Sequence, residues 1–407
     1  MSDRPLRLLL GAFGDPGHAF PMIELGRALA ARGHEVTLQS WMRWQEAIET
    51  GGMAFAPAPE YRVFPTGERP LRPYQTVVRA AAQMRPLVRE LRPDLAVADI
   101  LTLAPALAAE AEGVEVATLV PHVFPPEAPG APPYSLGARL PRTAVGRAVF
   151  NGLGKRAEGG YRRGRAELNE TRRRLGLGPV AHLHAGISRR LALVATLPQL
   201  EYPREWPEAV HVVGPLGWEP PASAVSPPPG EGPVVLIAPS TSQDPTHRLL
   251  RAAVTGLAGE PVRVIAALNR GPMPAPLPVA DNVRLVDWLS YAQTMPRCDL
   301  VVCHGGHGTM ARALTCGCPV VVVPAAGDMN ENAARAAWSG AGVRLPWRLL
   351  GPRTLRLAVR QALGDPRLAA RAGEMARWAA AHRPAERAAA LVEAAAGGAA
   401  ASGATAR

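Results

Sequence analysis

Two runs of short, almost wholly apolar segments, each interleaved with helix-length stretches and separated by a single proline-rich gap, leave this chain few folds to choose from. The first run is LRLLLGAF, HEVTLQ, LAVAD and VEVATLV; the second is PVVLIAP, VRVIAAL, NVRLV, DLVVC and PVVVVP. A strand that is apolar at successive positions offers hydrophobic side chains to both faces of its sheet, as in a parallel sheet covered by helices on each side. Helices are expected from Phe20 to Arg32, through Leu87, through Glu112, and around His247 to Leu257. The gap, GWEPPASAVSPPPGEGP, is too rich in proline and glycine for regular structure and reads as a linker. At 407 residues the chain exceeds what one core usually supports. The expectation is an α/β chain of two doubly wound domains facing each other across a cleft. Residues 1–216 form the first, 217–233 the linker, 234–396 the second with its closing helices, and 397–407 a disordered tail.

No apolar run approaches the roughly 18 residues of a membrane helix, and the N-terminus lacks a signal-peptide cleavage pattern, so a cytoplasmic location is expected. The net charge of +11 comes almost wholly from arginine, with Lys155 the single lysine, which reads as codon bias rather than selection for a polyanion. The densest basic run, Arg162 to Arg174, carries interspersed glutamate and no aromatic platform, which argues against nucleic acid. It reads as a solvated helix face, with contact to an anionic membrane as the alternative. All four cysteines fall between Cys298 and Cys318. Their spacing matches no zinc signature, and adjacent strand residues such as Cys303 and His304 point to opposite faces, so they read as small buried hydrophobes.

The stretch CHGGHGTMARALTCGCPVVV, Cys303 to Val322, is suited to holding a diphosphate. An apolar strand runs into His304, then Gly305, Gly306 and Gly308 let the backbone approach a ligand, and Thr309 stands at the start of an alanine-rich helix. The helix start offers unpaired N–H groups and a partial positive charge to an anion. A second constellation follows the first strand, in GDPGHAFP. His18 lies there at the carboxyl edge of the sheet, where ligands of open α/β sheets bind, and its side chain suits either a general base or a helix cap. Asp99 closes the strand LAVAD at the same edge, placed either to orient the imidazole or to cap the following helix.

With these residues in place, the chain resembles a family 1 glycosyltransferase of the GT-B fold, the group that contains plant secondary-product and bacterial macrolide and antibiotic enzymes. The likeness spans nearly the whole length, through GDPGHAFP, the linker and a signature from Asp287 to Ala333. It implies two Rossmann-like domains, with His18 deprotonating an acceptor hydroxyl and Asp99 assisting it. It further implies donor contacts from Trp288 to the base, from His304, Gly306, Gly308 and Thr309 to the diphosphate, from Asp328 to sugar hydroxyls, and from Asn332 and Ser240. The sequence departs from the glucose-using pattern at Arg312, where a ribose-binding glutamate is usual, and at Met329, where glutamine follows the aspartate. An arginine cannot accept a hydrogen bond. Both changes tilt the donor from a UDP-sugar toward a dTDP-deoxysugar, unless an acid such as Glu331 compensates. The implied reaction is inverting transfer to a hydroxyl of an apolar small molecule, with aromatic residues Trp41, Phe64, Tyr74 and Phe124 on the acceptor side. Neither a metal nor another cofactor is expected, since there is no Asp-x-Asp motif. A membrane-associated glycolipid enzyme, a catalytically silent nucleotide-binding partner and a nucleotide-sugar epimerase are the alternatives.

Overall fold

The computed structural model describes residues 4–58, 73–184, 186–240, 244–269, 277 and 279–404. The first domain runs β1 (Arg7–Gly11), α1 (Pro16–Ala31), β2 (Glu35–Ser40), α2 (Gln45–Glu49), β3 (Ala54–Pro57), α3 (Pro73–Leu91), β4 (Leu95–Asp99), α4 (Leu103–Ala111), β5 (Val116–Val120), α5 (Ala144–Arg174), β6 (Ala192–Val194) and β7 (Val210–Val212). The second runs β8 (Val234–Ala238), α6 (Arg248–Leu257), β9 (Arg263–Ala267), β10 (Val283–Val286), α7 (Tyr291–Thr294), β11 (Leu300–Cys303), α8 (His307–Thr315), β12 (Val320–Val322), α9 (Met329–Trp338) and β13 (Gly342–Arg344). Three helices follow: α10 (Pro352–Gly364), α11 (Pro366–His382) and α12 (Pro384–Ala404).

Among the described residues the strands form two parallel sheets, ordered β3-β2-β1-β4-β5-β6-β7 and β10-β9-β8-β11-β12-β13. Each order reverses direction once, between β1 and β4 and between β8 and β11. Crossovers leave in opposite senses on either side of such a point, which opens a crevice at the carboxyl ends of the strands. Both crevices hold residues singled out above: His18 after β1 and Asp99 at the end of β4 in one, Ser240 after β8 and His304 after β11 in the other. The strand cores are sealed on both faces, and Leu9, Leu10, Val97, Leu236, Ile237 and Val302 have no exposed surface.

Several boundaries differ from expectation. Helix α1 begins at Pro16 rather than Phe20, because a proline at the first helical position sacrifices no hydrogen bond and supplies the right φ. The last helix does not close the second domain. Ala388, Ala389, Val392 and Ala396 of α12 share a core with Leu8, Ile23 and Leu25, and Glu393 binds Arg32 at 2.6 Å and His34 at 2.7 Å. The chain therefore returns to the first domain at its end. Helix α12 also continues to Ala404, through most of the segment expected to be a disordered tail, as its alanine content favours. The four cysteines are free, and burial pushes the Cys303 thiol up to about 12.

A buried cluster of charge joins the domains. Arg335 of α9 donates from Nε to Glu331 (2.8 Å) and from one terminal nitrogen to Glu201 (2.9 Å) and the Leu200 carbonyl (3.0 Å). The three side chains are 3%, 1% and 4% exposed in that order. Glu201 lies between β6 and β7, and its second oxygen accepts the N–H of Phe124 at 2.7 Å. The guanidinium also covers the Tyr202 ring, 4.1 Å from its centroid. Removing one partner from such a cluster strands buried charge, at a cost of about 3–5 kcal/mol. Arg335→Ala should therefore lower stability in denaturant titration by that order, whereas Arg360→Ala, which breaks an exposed pair with Glu260, should change it little. Equal, small effects of the two would show that the cluster does not hold the domains.

Candidate active site

The loop that leads into α1, whose first turn carries His18, is immobilised from behind. A side chain at Gly14 would fall inside the indole of Trp41, so only glycine fits there. The Gly14 carbonyl accepts from Trp44 Nε1 at 2.8 Å and from Arg43, whose guanidinium lies 4.8 and 4.9 Å from the Trp41 and Trp44 ring centroids. Phe13 stands edge-on to Trp41 at 5.0 Å and to His18 at 6.2 Å. This places Trp41 beside the His18 loop, and Phe13, which sequence reasoning passed over, between them.

His18 Nδ1 and Asp99 Oδ2 are 2.6 Å apart, with the carboxylate side chain fully buried and the imidazole 16% exposed. The other Asp99 oxygen accepts the Leu101 N–H at 2.6 Å. Neither residue caps its helix, since the N-cap positions of α1 and α4 belong to Asp15 and Thr102. Burial pulls the His18 pKa down, but Asp99, helped by Asp15 and Asp328, outweighs it and leaves it above the ordinary value of 6.5. With Nδ1–H given to Asp99, the neutral ring keeps its lone pair on Nε2.

On the opposite side, His304 Nδ1 donates to the Ala238 carbonyl at 3.2 Å. A side chain at Gly306 would collide with His304 Nε2, which therefore lies over the start of α8. Gly305 has φ +91, and a Cβ there would stand 3.1 Å from both Met329 and Val322. A Cβ on Gly308 would meet nothing, leaving open space at the helix start beside half-buried Thr309. Trp288 is half-buried just past β10 and Ser240 is buried just past β8. Asn269 ties these two loops together, donating to the Pro239 carbonyl at 2.7 Å and accepting from the Tyr291 hydroxyl at 3.1 Å. Asp328 precedes α9, close enough to His18, His122, Tyr134 and His304 for its charge to act on each.

Some expected ligands lie elsewhere. Asn332 is fully buried and donates to the Gly305 carbonyl at 2.9 Å, so it braces the glycine turn from beneath instead of facing the cleft. Glu331 is committed to Arg335 and is in no position to replace a ribose acceptor. Phe124 is 4% exposed and packs on Trp206, 5.5 Å between centroids, because its N–H is held by Glu201; it belongs to the core and not to an acceptor wall. Phe64 and the Tyr74 side chain lie outside the described residues. Two histidines of the site were missed. His307 is buried beside Asn332, and burial takes its pKa down to about 3. His122 follows β5 by two residues, and the sheet-edge argument that singled out His18 and Asp99 applies to it equally.

The model of the erythromycin biosynthesis protein CIII-like C-terminal domain matches residues 249–394. The chain is 32% identical to O-mycaminosyltylonolide 6-deoxyallosyltransferase of Streptomyces fradiae over 95% of its own length and 97% of that protein's. It is 30% identical to 4'-demethylrebeccamycin synthase of Lentzea aerocolonigenes, over 91% and 94%. The chain is a family 1 glycosyltransferase of the GT-B fold. The crystal structure of CalG4, the calicheamicin glycosyltransferase, superposes with a TM-score of 0.76 at 23% identity, covering 97% of this chain and 99% of that one, and shares the fold.

In this glycosyltransferase His18 and His304, one from each domain, have pKa values shifted in opposite directions. Burial lowers the His304 pKa, and a carbonyl partner only partly offsets it. A neutral His304 with its proton on Nδ1 presents a lone pair at Nε2, which repels a phosphate oxygen; only the imidazolium donates. Nucleotide binding at this position should therefore take up a proton, and affinity should fall as pH rises through the pKa of the bound state. Calorimetry of UDP and dTDP in buffers of different ionisation enthalpy should show an uptake that His304→Ala abolishes, with a loss of about 1.5–3 kcal/mol in binding. Gly306→Ala should mimic that loss by displacing the imidazole, while Gly308→Ala should fold as the parent does.

Proposed function

We propose that this glycosyltransferase moves a sugar from a nucleotide diphosphate donor to a hydroxyl of an apolar natural product, with inversion at the anomeric carbon. The observation that carries this reading is the 2.6 Å pair of His18 and Asp99 in the first domain, with Asp328 of the second close enough for its charge to act on both His18 and His304. His18 Nε2 takes the acceptor's proton as its oxygen bonds to the anomeric carbon, and Asp99 stabilises the imidazolium that forms. The bond from that carbon to the diphosphate oxygen breaks, and the electron pair leaves on the nucleotide. His304, the free N–H groups opening α8 and the helix dipole meet that charge, so no metal is required.

For the acceptor, Phe13 and Trp41 supply an apolar flank beside His18. Support also comes from relatives whose names specify tylonolide and rebeccamycin chemistry. For the donor, Arg312 stands in place of a carboxylate and Glu331 is buried away from the cleft, which favours a dTDP-sugar over a UDP-sugar. One relative is named for a 6-deoxyallosyl group, in keeping with a deoxysugar. A membrane-seated enzyme is disfavoured because four of the six arginines between Arg162 and Arg174 are paired with glutamates: Arg162 with Glu158, Arg172 with Glu110, Arg173 and Arg174 with Glu170. Among the described residues no helix is long and apolar enough to cross a membrane.

His18→Ala should leave nucleotide affinity intact and slow transfer to alcohol acceptors 100-fold to 10,000-fold, the usual worth of a general base. A thiophenol acceptor, which ionises unaided, should escape much of that loss; equal losses with both would give His18 a structural role. Because the base must be unprotonated, kcat/KM should fall as pH drops below the raised pKa of His18. Asp99→Asn removes the main cause of that rise, so this acid limb should move to lower pH while the plateau falls. In direct competition dTDP-glucose should serve at least as well as UDP-glucose, and a strong preference for UDP-glucose would refute the donor assignment.

A further inference from the structure

His122 is a histidine in the cleft that the proposed reaction leaves without a task. Its ring lies edge-on to His18, 6.3 Å between centroids. Its Nδ1 is 2.8 Å from the Val123 carbonyl, with the Tyr134 hydroxyl 3.4 Å from the same nitrogen. A carbonyl only accepts, so Nδ1 carries the proton and donates it. Burial, reinforced by the nearby His18 and only partly opposed by Val123, Asp328 and Asp99, keeps the ring neutral by lowering its pKa. Nε2 is then a bare lone pair that accepts a hydrogen bond and gives none. Among the described residues nothing in the protein donates to it, and it is not one of the polar atoms sealed from solvent without a partner.

The position of this lone pair narrows what fills it. Close to the ring stands His18, which in the proposed reaction takes the proton of the attacking hydroxyl, and within reach of both is Asp328 of the second domain, whose charge acts on His18, His122 and His304 alike. The space between the base and that carboxylate is where the transferred sugar must lie, given the reaction proposed above, on which this inference rests. We infer that His122 accepts a hydrogen bond at Nε2 from a hydroxyl of the transferred sugar, and so helps to select and orient the sugar ring. Sequence spacing gave no hint of this, because the role depends on which nitrogen Val123 occupies.

Two substitutions separate the ring's two nitrogens. His122→Asn keeps an N–H where Nδ1 stood, so the bond to Val123 survives and the cleft acceptor is lost. His122→Gln places a carbonyl oxygen near the old Nε2 and gives up the bond to Val123. Calorimetry with UDP, UDP-glucose, dTDP and dTDP-glucose measures how far the sugar changes affinity relative to the bare nucleotide. For the Asn variant, nucleotide affinity should hold while the sugar's contribution weakens about three- to tenfold, as for loss of one neutral hydrogen bond. For the Gln variant the sugar's contribution should return toward the parent value. An unchanged ratio in the Asn variant overturns the inference, as does a rise in acceptor KM alone. Loss in both variants together with a lower melting temperature assigns His122 to the fold and overturns it too. Failure of the parent protein to bind any of the four compounds is a different result, and it would remove the donor reading itself.

Discussion

The contact between Arg335 and its two buried glutamates decides how the two halves of this glycosyltransferase face each other. Glu201 belongs to the first domain, while Glu331 and Arg335 lie one turn apart on α9 of the second. Burying three charges is expensive, and the arrangement is tolerable because each is paired and hydrogen-bonded in place. The same helix begins just after Asp328, and its Asn332 holds the carbonyl of Gly305. One short helix thus anchors the domains, braces the glycine turn and carries the acid that faces His18. Around it, Arg344 donates to the Gly137 carbonyl and lies 3.3 Å from Asn330, so the segment between β5 and α5 of the first domain rests on the second.

Environment shifts two histidines, one in each domain, in opposite directions. His18 has a carboxylate at 2.6 Å, which overcomes burial and raises its pKa. His304 has a carbonyl at 3.2 Å, which does not overcome burial, and its pKa falls. A more basic His18 suits the proton removal proposed for it, and the proposed role of His304 requires that it gain its charge with the anion. Separation of this kind between like groups in one site is how a protein assigns acid and base roles at a single pH.

The two sheets and their parallel sense were legible in the chain because strands buried on both faces need unbroken apolar runs. The strands β3, β6, β7 and β13, each of only three or four residues, were not singled out. His18, Asp99 and His304 were legible as candidates because each ends or follows such a run at the carboxyl edge. Asn332 and Phe124 were misassigned for one reason: spacing along a chain says which element a residue occupies, not which face of it meets the ligand.

What the sequence determined by itself is therefore the pair of doubly wound sheets, the glycine turn before α8, and the placing of chemically apt residues at strand ends. These follow from local rules, namely apolar runs and glycine's freedom at positive φ. Only the tertiary structure decided that α12 returns to the first domain, that Glu331 pairs with Arg335, and that His122 comes to lie beside His18. Those outcomes depend on contacts between residues far apart in the chain, where burial and charge pairing outweigh anything that neighbouring residues prefer.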